Sequence, residues 1–196
     1  MKKNNFIKEA VLQLTFITAI LFIASCSNNL KPEDTKAVAE EHNDAKFDNS
    51  KQEKDAQFLV NAAEINLEEI KLGQLAQQSG RTAHVKELGK MMEDAHTKSL
   101  NDLTSLAKTK MITIPTTPTD NAMDAYKKLN DKSGNDFDKA YADMMVTGHK
   151  DAIATFEKAS TDCNDTDIKS WATATLPDLR MHLDHSINCQ KECNKM

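Results

Sequence analysis

Lys54–Gln78, KDAQFLVNAAEINLEEIKLGQLAQQ, is the stretch from which the fold is read. Phe58, Ala62, Ile65, Glu69, Leu72 and Ala76 recur at spacings of three and four and trace one face. Leu59, Ala63, Leu67 and Ile70 widen that stripe. The period belongs to an amphipathic helix, because a strand would alternate every second residue. Ser79-Gly80 ends the run, with Gly80 suited to a C-terminal cap.

The same period returns three times. A second helix runs from about residue 82 to 110, with Val85, Leu88, Met92, Leu100, Leu103 and Ala107 inward. Pro115 and Pro118, set among threonines, stop it, and a short helix is expected at about 120–129 in the connection. A third helix, about 135–160, carries Phe137, Tyr141, Met145, Ile153 and Phe156. After a turn at Asp162-Cys163-Asn164-Asp165, Asp165 or Thr166 caps a fourth, with Ile168, Ala172, Thr175, Leu179 and Ser186 in register. Pro177 lies inside it and predicts a kink, since its ring clashes with the carbonyl of Thr173. Four amphipathic helices in two hairpins, joined by a long connection, predict an all-α antiparallel four-helix bundle over residues 53–193. The two helix pairs are loosely similar, without a convincing internal repeat.

Composition agrees with helices and narrows function. The 196 residues include only five glycines and four prolines. The net charge is −5, and no basic cluster exists, which argues against nucleic acid as a partner. The same acidity argues against electrostatic binding to anionic lipid.

The first residues name a place. Lys2, Lys3 and Lys8 precede an apolar run from Ala10 to Ile23, too short for a membrane span and read as an export signal over residues 1–25. The run closes on Ile23-Ala24-Ser25-Cys26, which resembles the lipobox of bacterial lipoproteins. That resemblance implies cleavage before Cys26, a lipid on its sulfur, and membrane attachment through acyl chains. Ser27 in the next position implies the outer membrane, with the protein facing the periplasm. Residues 26–52 are polar and read as a flexible tether.

Each helical stripe contains one ionisable residue: Glu69, His96, His149 and His182. A buried unpaired charge costs several kcal/mol or is neutralised, so four such groups are easier to explain if they meet. Facing side chains of a bundle are where metal sites are built, and imidazole with carboxylate suits iron, zinc, manganese or copper. Counting from the hairpin turn at ~1.5 Å per residue, Glu69 and His96 differ in height by roughly 7 Å. Glu93 sits at a closer level and joins the candidate ligands. The heights favour a polar seam over one coordination sphere. The alternative is a hydrogen-bonded core network that fixes helix register in a structural or protein-interaction module of the envelope.

Asp55 through Ala76, Met91-Met92 leading to His96, Tyr141 and Met144-Met145-Val146 leading to His149, and Thr175-Leu176-Pro177 before His182 together resemble a family. It is the bacterial "domain of unknown function 4142", placed among ferritin-like bundles. The resemblance implies that fold for the whole folded domain and no agreed activity. Di-iron members of the ferritin-like class use a Glu on each of two helices and Glu-x-x-His on the others. Glu93-x-x-His96 fits one such motif, with Glu69 as its partner. His149 stands where a carboxylate is expected, and Leu179 precedes His182 by three, so a single-metal or structural site fits better.

Met181, His185, Cys189 and Cys193 recur every four residues at the end of the fourth helix. They are candidates for a soft ion, Cu(I) or Zn(II), or Cys189 and Cys193 form a local disulfide. Cys163 would lie ~39 Å from Cys189 along a straight helix and cannot pair with it. No catalytic residue is assigned: a Gly-x-Ser-x-Gly elbow and a phosphate-binding glycine loop are both missing from the chain.

Overall fold

A computed structural model describes residues 33–195, all of it helices and the loops between them. The export signal and Cys26 fall outside these residues. Six helices follow in order: α1 (Thr35–Asp44), α2 (Ser50–Ser79), α3 (Ala83–Lys110), α4 (Asp120–Asn130), α5 (Gly134–Asp162) and α6 (Thr166–Cys193). The four long ones, α2, α3, α5 and α6, are the amphipathic helices expected from the periodicity. They form two hairpins, α2 with α3 and α5 with α6, packed as an all-α bundle.

Local chemistry sets the ends. The Asn49 side chain accepts from the backbone N–H of Gln52, Thr82 from Val85, Thr119 from Ala122, and Asp165 from both Asp167 and Ile168. Each satisfies a donor that the first helical turn leaves without a partner. Helix α3 stops at Met111, in the left-handed region at φ 57°, four residues before Pro115. Gly80 ends α2 at φ −58°, where any residue would be comfortable. Its glycine is needed for space: a Cβ there would lie 2.5 Å from the Ala76 carbonyl oxygen and 2.8 Å from Val85 Cγ1. Helix α6 runs through Pro177 without a break.

The two hairpins brace each other at corresponding positions. Near the start of α2, Asp55 accepts from the backbone N–H groups of Asn164 and Asp165 in the α5–α6 turn, both at 2.8 Å. Near the start of α5, Asp138 accepts from Arg81 and Thr82 in the α2–α3 turn, at 2.8 and 2.9 Å. Thr82 Oγ1 also donates to Asp138. The likeness of the two pairs is therefore stronger in structure than in sequence.

Residues 35–52, expected to be a flexible tether, are ordered as α1 and the first turn of α2. The anchors are mostly polar, which is why no apolar stripe revealed them. The buried Asn43 side chain donates to the Thr113 carbonyl and accepts from the Thr113 N–H, both at 2.8 Å. Lys36 pairs with Glu64, while Ala39 and Phe47 supply the only buried apolar contacts. Helices α1 and α4 both lie against α2.

Helices α2 and α3 cross with their backbones nearly touching at Gly73 and Gly89. A Cβ on Gly73 would come within 2.6 Å of the Gly89 carbonyl oxygen. The core divides into two apolar clusters. Phe58, Leu59, Leu103, Phe156 and Ile168 belong to one, and Leu72, Met92, Phe137, Tyr141 and Cys189 to the other. On every long helix, the polar residues of the stripe fall between the two clusters.

Candidate metal centre

The polar layer is built from one or two residues per helix. Asn66 and Glu69 come from α2, His96 from α3, His149 from α5 and His182 from α6. All are buried, with His149 1% and His96 3% exposed. The three imidazoles form a nearly equilateral triangle, with ring centroids 5.6, 5.3 and 5.4 Å apart. One nitrogen from each ring lies within 4.8 Å of the others. A tetrahedral ion would space such donors about 3.4 Å apart, so closure takes movements of about an ångström.

The outer hydrogen bonds decide which nitrogens face inward. Asn66 Nδ2 donates to the Ala62 carbonyl at 2.8 Å, which turns Oδ1 toward His96 Nδ1 at 2.9 Å. An amide oxygen only accepts, so His96 carries its proton on Nδ1 and keeps a lone pair on Nε2. His149 Nδ1 donates to the Met145 carbonyl at 2.8 Å, which leaves a lone pair on its Nε2 as well. His96 Nε2, His149 Nε2 and His182 Nδ1 are buried and have no hydrogen-bond partner. Bonding the outer nitrogen to a carbonyl is the way proteins orient a ligating histidine.

Burial holds all three imidazoles neutral. It pushes His96 well below its ordinary value, with His149 and His182 adding to the effect. Burial takes His149 down to about 4 against the opposing bond to Met145. His182 is lowered by burial too, with Asp178 working in the other direction. A neutral imidazole is the form that binds a metal.

Glu69 stands beside this triangle, its Oε1 3.7 Å from His149 Nδ1. Burial, and secondarily Glu68, hold its carboxyl well above the usual carboxylate range. Its Oε2 has no partner, and neither does the buried hydroxyl of Tyr141. Gly148 leaves the room Glu69 needs, since a Cβ there would sit 3.3 Å from Oε1.

The polar residues thus gather more tightly than helix counting suggested. Three histidines share one focus, where a stretched seam was expected. Glu93 is not with them: half-buried, it accepts from Gln74 at 2.8 Å and Gln77 at 2.6 Å along the α2–α3 seam. In the second candidate cluster Cys189 and Cys193 stay in contact, and His185 lines one cavity with Cys189. His185 and Met181 are exposed, while Cys189 and Cys193 are buried free thiols in the core, so the local disulfide is not formed. Burial pushes the Cys189 thiol up to about 12, far from the thiolate a metal requires. Asn66 was missed in the sequence, although an amide four residues after Ala62 on a buried face was the available signal.

In a comparison with protein families, residues 38–188 match "Domain of unknown function (DUF4142)". The chain belongs to this family. Curated proteins and solved structures gave no match. The DUF4142 match takes in all three histidines, Asn66 and Glu69, and begins within α1, so the family's domain includes part of the segment that composition alone marks as a tether.

Proposed function

We propose that this DUF4142 protein is a lipid-anchored envelope protein whose bundle holds one transition-metal ion between His96, His149 and His182. The observation that carries the reading is the set of three buried ring nitrogens without partners, two of them with lone pairs fixed inward by outer hydrogen bonds. A purely hydrogen-bonded network would have to place a donor between them. His96 Nε2 and His149 Nε2 each offer a lone pair that no donor meets, and an ion would satisfy both.

Three neutral nitrogens suit zinc or copper, and with Glu69 close by, iron or manganese. When bound, such an ion supplies a Lewis acid with a free coordination position. The residues of the chain hold His96 and His149 each in one tautomer and keep the Glu69 carboxyl next to His149. With neither a Gly-x-Ser-x-Gly elbow nor a phosphate-binding glycine loop in the chain, metal binding or buffering is the role proposed.

The anchoring part rests on Lys2, Lys3, Lys8 and the run ending at Cys26, and it explains how a domain without a membrane-spanning helix among its described residues would stay at the membrane. Cys26→Ser should abolish lipid labelling and release the protein from membranes; continued labelling or unchanged membrane association would remove that part. For the ion, thermal unfolding is followed with zinc, copper, iron and manganese added in turn. At 100 times Kd a specific ion adds about 2.7 kcal/mol, roughly 5–10 °C in Tm for a domain of this size. No shift with any of the four metals would reject the centre.

A further inference from the structure

The α3–α6 seam is where the candidate centre meets the outside. Helices α1 and α4 lie on α2, and no described helix covers the seam between α3 and α6. A cavity of 290 Å³ opens there, and His96 and His182 form its inner end. Its walls are apolar on one side, from Ile65, Phe156 and Trp171, and its mouth carries the pair Lys98–Asp102 at 3.2 Å. Asn66 lines it as well, while Glu69 and His149 do not.

These observations set the chemistry of what enters. Three neutral donors leave the charge of a bound divalent ion uncompensated, so an anion is the ligand that best fills its remaining position. Lys98 and Asp102 neutralise each other, which leaves Asp178 as the other charged wall residue opposing that anion; the ion is the larger charge. The volume exceeds that of a water or hydroxide several times over, and a polar inner end with an apolar wall suits a head and a short tail. The geometry points to a ligand-binding metal centre that takes a small monocarboxylate, its head on the ion and its tail against Ile65, Phe156 and Trp171.

This inference rests on the metal reading above, and the test separates the two. The protein is loaded with Co(II), whose visible bands report its coordination, and titrated with acetate, propionate and butyrate. The bands should change with saturation, and affinity should rise about fourfold for each added methylene buried. Ala174, exposed on α6, lines the cavity without belonging to the polar layer. Ala174→Phe should weaken butyrate at least tenfold while cobalt binding stays unchanged. Cobalt held with bands indifferent to every carboxylate overturns this inference alone, as does butyrate binding equally well to Ala174→Phe. Failure to hold cobalt, with zinc, copper, iron and manganese refused as well, removes both readings.

Discussion

Replacing Asn66 by alanine separates a metal ligand's support from an ordinary core contact. Asn66 makes two buried bonds, to the Ala62 carbonyl at 2.8 Å and to His96 Nδ1 at 2.9 Å. Without it, the Nδ1–H of His96 has no acceptor, and the ring is free to take the other tautomer with its proton aimed at the centre. Leaving one buried donor unsatisfied costs about 1–3 kcal/mol, so the metal-free variant should lose roughly 2 kcal/mol of stability. Removal of a group that orients a ligating histidine typically weakens metal affinity 10- to 100-fold, or about 1.4–2.7 kcal/mol more. Urea unfolding without metal gives the first quantity, and competition with a chromophoric chelator gives the second. Asn66→Asp is the control: it retains an acceptor for His96 and should restore most of the affinity while still losing the bond to Ala62. The reasoning is refuted if alanine lowers stability but leaves metal affinity where it was, because His96 would then be a core residue and not a ligand.

Three further outcomes follow from the geometry. The metal-free Glu69→Gln variant, which lacks the opposing carboxyl, should lose stability as pH falls from 6.5, because the unfolded chain takes up protons that the buried histidines refuse; His149, shifted from 6.5 to about 4, alone accounts for about 3 kcal/mol by pH 4, and a flat urea midpoint of that variant over that range would contradict the buried neutral trio. Glu69 acts with the opposite sign, since its raised carboxyl value makes its contribution decline as pH rises above 4.5. Gly73→Ala gains about 1 kcal/mol in helix propensity, yet should be destabilising overall by about 1–3 kcal/mol, because its methyl meets the Gly89 carbonyl at 2.6 Å; an unchanged Tm would show that α2 and α3 separate freely. Asp138→Ala leaves the N–H groups of Arg81 and Thr82 without their carboxylate and should cost about 2–4 kcal/mol by chemical denaturation, with metal affinity unaffected; an undiminished midpoint would show that the brace between hairpins contributes nothing.

The bundle was legible because its helices are long and amphipathic. The stripe from Phe58 to Ala76 and its three counterparts mark the elements to within a few residues, and Gly80, Asp165 and the proline-rich connection mark the turns. The candidate centre was legible as composition: an ionisable residue inside each apolar stripe is visible without coordinates. Its geometry was not, because helix counting measures height along an axis and ignores how far a side chain reaches across the core. That is how Glu93, in register with His96 as Glu-x-x-His, turned out to face Gln74 and Gln77 instead. Helix α1 escaped notice for a different reason. A helix held by Asn43 on a backbone pair and by Lys36 on Glu64 needs few apolar residues, and its sequence is hard to tell from a solvated tether. The cross-braces of Asp55 and Asp138 are equally silent, since an acidic residue near a helix start is ordinary until its distant partner is known.

The central claim is that His96, His149 and His182 act together on one ion. Its most direct test is the metal content of the full-length protein after exposure to zinc, iron, manganese and copper, compared with His96→Ala, His149→Ala and His182→Ala. The account predicts one ion per chain of at least one of these metals, and loss of most of it in each of the three variants. A protein that binds none, or that binds as much after losing any one of these histidines, would contradict it.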